Sequence, residues 1–97
     1  MTNTPAVLKV EKSDQFVLDL EDIVLHICQD NINAALTLET HIHQQVDKLS
    51  DPNFPRRHGR KAGTMELVAH PNYVVVLQQT KTVVTALNIV HVARQYP

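Results

Sequence analysis

The sequence predicts an α+β fold of order β-α-α-β-β-β: an N-terminal strand, an antiparallel helical hairpin, then a three-stranded antiparallel meander. Three observations carry this. Apolar residues recur at helical spacing through the first half. A basic stretch with two prolines and both glycines interrupts the chain at residues 50–64. Beyond it the apolar period drops to two. A helical hairpin laid on one face of a sheet buries the apolar side of each.

Val7–Glu11 reads as a short first strand. Over residues 14–29, Phe16, Leu20, Ile23 and Ile27 form one helical stripe, widened by Val17 and Val24. Ser13 is the expected N-cap, and Asp14, Asp19, Glu21 and Asp22 bring negative charge toward the positive end of the helix. The sequence Gln29-Asp30-Asn31-Ile32-Asn33 breaks the pattern, with Asp30 or Asn31 capping a second helix. Its apolar line is Ala35, Leu38, Ile42, Val46 and Leu49. Residues 50–64 are predicted as loop, because Pro52 and Pro55 lack an N–H and restrict the residues before them. Met65–Ala69, Tyr73–Gln78 and Thr82–Val92 then read as strands. Their three-residue connections, His70-Pro71-Asn72 and Gln79-Thr80-Lys81, make them antiparallel neighbours. In the middle strand Tyr73, Val75 and Leu77 share one face and Val74, Val76 and Gln78 the other. The second set is expected on an open face that needs a cover.

Ninety-seven residues allow one domain, 1–97, burying roughly 60–65% of its unfolded surface. With 43% hydrophobic and 20% charged residues, the composition is that of a globular chain. The single cysteine, Cys28, excludes an internal disulfide and suits a reducing compartment. The start, MTNTPAVLKV, lacks a basic and then apolar leader pattern, and no apolar run reaches the ~18 residues of a membrane span. A cytoplasmic protein is expected. The net charge of −1 is divided: residues 1–49 set three lysines against eight acids, a balance of −5, and residues 50–97 set six basic residues against two acids, a balance of +4. The two halves are therefore expected to face different partners.

Six histidines raise the question of a metal. His41 and His43 are two residues apart, about 200° on a helix, and no Cys/His or HExxH spacing occurs, so no metal or other cofactor is expected. Arg56, Arg57, Arg60 and Lys61 form the densest cationic segment, fit to hold a phosphate or an acidic protein. At the C-terminus a strand is expected to place His91, Arg94 and Tyr96 at the end of the sheet, joining a titratable ring, a guanidinium fork and a phenol.

The blocks LDLEDIVLHICQDN, NINAAL, GRKAGTMELVAHPNYVVV and NIVHVARQYP, with their spacing, resemble the RelE/ParE superfamily of type II toxins, on its ParE-like branch. The resemblance covers nearly the whole chain and implies the same β-α-α-β-β-β order. It implies a small toxin neutralised by a cognate antitoxin in a hetero-oligomer. RelE-like members cleave mRNA on the ribosome without metal; ParE-like members are taken to poison DNA gyrase by binding it. Residue by residue, His91, Arg94, Gln95 and Tyr96 match the closing pattern. Ribonuclease members carry an arginine where this chain has Val74 or Val75. Leu77 and Gln78 replace a tyrosine and an arginine common in relatives, and Ala93 replaces one of two adjacent arginines.

RNA cleavage without metal needs a base, an acid and several charges around the phosphorane-like state, and each absent donor costs about 10²–10³ in rate. The expectation is therefore a ParE-like inhibitor of gyrase. Its target contacts would be Arg60, Lys61, His91, Arg94, Gln95 and Tyr96. Arg56, Arg57, Tyr73, Val74, Val76 and Gln78 would meet the antitoxin. The alternatives are a ribosome-dependent endoribonuclease using His91, Arg94 and Tyr96, or a weakened toxin that keeps only antitoxin binding and co-regulation.

Overall fold

A computed structural model describes residues 7–95, with side chains from Val7 to Ala93. The α+β order is as expected: β1 (Lys9–Lys12), α1 (Asp14–Cys28), α2 (Ile32–Asp47) with a closing 3₁₀ turn (Lys48–Ser50), β2 (Arg57–His58), β3 (Met65–His70), β4 (Tyr73–Gln79), β5 (Val83–His91) and a short α3 (Val92–Gln95). The sheet order is β1-β5-β4-β3-β2. β1 pairs parallel with β5; the other pairs are antiparallel.

The caps act as the sequence expects. Ser13 Oγ accepts the Phe16 N–H at 3.1 Å and Asn31 Oδ1 accepts the Ala34 N–H at 2.9 Å, so each satisfies an orphan amide of its helix. Phe16, Leu20, Leu38, Ile42, Val46 and Leu49 face Leu67, Tyr73, Val75, Leu77, Val84 and Ala86 across one core.

Four local expectations are corrected. The first strand begins at Lys9 rather than Val7: Leu8 turns into the core, and Val7 is exposed. The predicted loop contains the edge strand β2, because Arg57 and His58 find partners in Glu66 and Met65. The last strand ends at His91. Past it, the Val92 N–H still bonds the carbonyl of its cross-strand neighbour Asn72 (3.0 Å), and the Ala93 N–H turns back to His91 Nδ1 (3.2 Å), where α3 starts. Finally, Val74 is not exposed on the open face; it is buried at 1% exposure, with Val68 and Val90 as its register partners.

β5 carries a bulge. Val76 pairs with Asn88 but Leu77 pairs with Ala86, which leaves Leu87 as the extra residue. The start of α1 takes up the groups near this irregularity: Ser13 Oγ donates to the Leu87 carbonyl at 2.7 Å, and Asp19 Oδ2 accepts the Ile89 N–H at 2.9 Å. α1 is thereby held along the outer edge of β5 beyond the end of β1.

Candidate functional site

Three places contain the residues of interest: the basic loop, the open face of the sheet, and the end where β4 begins and β5 finishes.

The basic loop is more tied down than its charge suggests. The Arg56 guanidinium donates to the carbonyls of Leu49, Asp51 and Phe54 and to Gln79 Oε1, and so braces the connection out of α2. Burial lowers the pKa of Arg56 from its usual value, which nearby Asp51 partly offsets. Arg57 Nε lies 3.0 Å from Glu66 Oε1, and the Arg60 N–H reaches Glu66 Oε2 at 3.4 Å. Glu66 is 4% exposed, the single buried charge among the described residues. Its carboxylate therefore anchors the loop from beneath. The tip closes as a tight turn in which the Lys61 carbonyl accepts both the N–H and the hydroxyl of Thr64. Gly63 adopts φ +81° there, a conformation that a side chain would strain. Arg60 and Lys61 are exposed on this anchored turn.

By register and alternation, the open face is composed of Glu66 and Val68 from β3, Val74, Val76 and Gln78 from β4, and Thr85, Asn88 and Val90 from β5. Its cations among the described residues stand at the margins, and each is paired: Lys9 with Glu11 at 3.4 Å and Arg57 with Glu66. Gln78 is exposed, Val76 half-buried, and Val68 remains 50% exposed. Beyond the two residues that pair with β2, the outer edge of β3 has no strand beside it among the described residues. A groove of about 400 Å³ runs along that edge, lined by Phe54, Pro55, Arg57, Leu67 and Val68 among others.

At the third place, side chains from five elements converge. Tyr73 and His91 are register partners with ring centroids 5.1 Å apart, edge to face; His70 lies 5.6 Å from Tyr73, and His41 lies 6.4 Å from His70. His41 Nε2 donates to the Ala69 carbonyl at 2.8 Å. Nδ1 of His70 accepts the Asn72 N–H and Nδ1 of His91 accepts the Ala93 N–H, so both rings carry their proton on Nε2. Burial, with His41 close by, lowers the pKa of His70. Asp22, Ile23 and His26 of α1 complete a cleft of about 460 Å³ against Tyr73 and His91. With the Asp22 carboxylate and the Ile23 side chain in its wall, this partly apolar cleft suits a planar or apolar group better than a phosphate. Among the described residues no three His, Cys, Asp or Glu side chains converge as metal ligands would.

The sequence-predicted residues are thus separated. His91 and Tyr73 come together on the helix side of the sheet. Arg56 and Arg57 are committed to internal acceptors, Arg60 and Lys61 project from the loop turn, and Val76 and Gln78 lie on the opposite sheet face from Tyr73. The side chains of Arg94 and Gln95, and the whole of Tyr96, lie outside the described residues. Sequence reasoning missed Asp22 and His26 as neighbours of His91, and His70 as a neighbour of Tyr73. Asp22 and His26 are one helical turn apart, a readable signal; the cross-strand pairing that brings them to Tyr73 is not.

No helix among the described residues is long and apolar enough to cross a membrane. The fold is similar to a chain of the chromosomal ParDE toxin–antitoxin system of P. aeruginosa, with a TM-score of 0.77 at 17% identity over 88% of this chain and 96% of that one. It is also similar to YafQ of E. coli, in the DinJ–YafQ toxin–antitoxin complex (TM-score 0.55, 13% identity, 93% and 98% covered) and as YafQ from strain BL21(DE3) (0.53, 14%, 93% and 99%). No curated protein sequence matches significantly. The model of the ParE toxin of type II toxin–antitoxin systems, parDE, matches residues 10–96, and the chain belongs to this toxin family.

Proposed function

We propose that this chain inhibits DNA gyrase by binding it as a protein and is held inactive by a cognate antitoxin in a hetero-oligomer in the cytoplasm. The observation that carries this reading is the open sheet face. Its centre, Val74, Val76, Asn88 and Val90, is without a cation among the described residues, and the marginal Lys9 and Arg57 already face carboxylates. A metal-independent ribonuclease needs several charges gathered around one phosphate. Protein binding needs only shape, apolar area and a polar rim. Arg60 and Lys61, on a turn anchored by Glu66, supply a positive rim for the target. The unpaired edge of β3, with the exposed Val68, offers an antitoxin strand a ladder to extend.

Three assays test this. Purified toxin at micromolar concentration is expected to alter gyrase supercoiling or to accumulate cleaved complexes, and added antitoxin is expected to reverse the effect. Gyrase activity unchanged at that concentration refutes the reading. Primer extension on transcripts after induction tests the alternative, a ribosome-dependent endoribonuclease using His91, Arg94 and Tyr96; cleavage in the ribosomal A site that Arg94→Ala abolishes would establish it instead. Growth unaffected by induction without antitoxin would favour a weakened toxin.

A further inference from the structure

The outer side of the helical hairpin is used by neither the sheet nor the loop. Residues 13–47 hold seven carboxylates and no lysine or arginine; Asp19 is bonded to the Ile89 N–H, Asp22 lines the cleft by Tyr73 and Asp47 pairs with Lys12, which leaves Asp14, Glu21, Asp30 and Glu39. With Phe16, Leu20 and Ile27 marking the core line of α1, the 100° step puts Leu18 and Leu25 on the opposite side, beside Asp14 and Glu21. Leu18 is 54% exposed and Leu25 64%; at the start of α2, Ile32 is 63% exposed and Leu36 51%. The hairpin is antiparallel, so the end of α1 that carries Leu25 adjoins the start of α2 that carries Ile32 and Leu36. With Val17, five of the seven exposed large hydrophobics among the described residues belong to this one layer. A soluble surface that concentrates them within an acidic field marks an interaction site.

We infer that the outer surface of the α1–α2 hairpin docks a cationic amphipathic helix of a partner protein. Leu18 and Leu25 are seven residues apart, about 10.5 Å along the axis, the interval at which an apolar residue recurs on one face of a partner helix. Glu21 lies between them and Asp14 beyond, placed to meet lysine or arginine on the flanks of that helix. A nucleic acid is repelled by the carboxylates. A symmetric second copy would set the same acids against each other. The surface faces away from the sheet, so it is separate from the β3 edge and the open face, and it does not depend on gyrase being the target.

The test titrates the full ¹⁵N-labelled chain with a synthetic amphipathic helix of leucine and lysine, and with the same helix carrying glutamate for lysine. The lysine helix is expected to shift the amides around Leu18, Glu21, Leu25, Ile32 and Leu36, more weakly as salt is raised, and the glutamate helix is expected not to bind. Leu18→Ser with Leu25→Ser is expected to weaken binding about tenfold or more, as the loss of buried leucine side chains requires. Both side chains are exposed, so the fold survives their replacement, and Val68→Ser on the β3 edge is expected to leave affinity unchanged. Shifts that map to the β3 edge or the histidine cleft, equal affinity of the double serine variant, or binding of the glutamate helix would overturn the inference. So would a concentration-dependent dimer in sedimentation that Leu25→Ser abolishes, since the patch would then belong to a second copy. None of these results bears on the gyrase assay.

Discussion

Removing the Arg57 side chain tests whether Glu66 fixes the basic loop. Glu66 has 5% of its side chain exposed and receives Arg57 Nε at 3.0 Å, whereas the Arg57 side chain is 57% exposed. Breaking a fully buried pair costs roughly 3–5 kcal/mol and an exposed one about 0–1. One partner here is buried and the other faces water, so Arg57→Ala is expected to cost about 1–2 kcal/mol. That corresponds to roughly 5–15 °C in Tm for a domain of this size. Replacing both partners, as Arg57→Ala with Glu66→Val, sets an apolar side chain beside Val76 and removes the buried charge. The double variant is expected to recover about 1 kcal/mol relative to Arg57→Ala. Urea denaturation of the four proteins closes the cycle, and amide exchange at Arg60 reports whether the loop loosens. If Arg57→Ala stays within about 0.5 kcal/mol of wild type, or if the double variant loses the sum of the singles, Glu66 is not the anchor.

Leu77 is fully buried on the helix side, so Leu77→Tyr is expected to overpack the core and strand a hydroxyl, at about 2–4 kcal/mol by thermal denaturation. By contrast Gln78→Arg, one residue on and exposed, is expected to leave stability within about 0.5 kcal/mol. Ser13→Ala removes both the cap on the Phe16 N–H and the bond to the Leu87 carbonyl, and is expected to cost about 1–2 kcal/mol in urea, with faster amide exchange in the first turn of α1. His43 and His70 both have lowered pKa values, chiefly from burial, with Lys12 adding to the effect at His43. The unfolded chain thus binds their protons more readily. The stability they contribute is whole above their ordinary value of 6.5 and is lost as pH falls below it. His43→Gln with His70→Gln should flatten that part of the stability–pH curve; an unchanged slope refutes the assignment.

The sequence by itself determined the two long helices and the strands β1, β3, β4 and β5, though not β2 or α3, because periodicity and caps are local. The stripe Phe16-Leu20-Ile23-Ile27, the Ser13 and Asn31 caps and the Pro52–Pro55 interruption each state their structure within a few residues. The alternation in Tyr73–Gln78 likewise put Tyr73, Val75 and Leu77 beneath the helices, as found. The four blocks spread along nearly the whole chain also pointed to the family. Only tertiary structure decided the rest. The parallel pairing of β1 with β5 joins residues more than seventy apart, and no local pattern encodes that. The burial of Val74, an open-face valine at 1% exposure beside Val68 at 50%, is likewise not readable from strand alternation. The charges of the basic loop read as free in sequence. In space Arg56 braces backbone carbonyls and Arg57 neutralises Glu66, because a chain this short must satisfy its buried polar groups with whatever cations lie near. His91 was legible as a candidate; its companions Tyr73, His26 and Asp22 were not, since a cleft is a property of register and helix placement, which long-range packing sets.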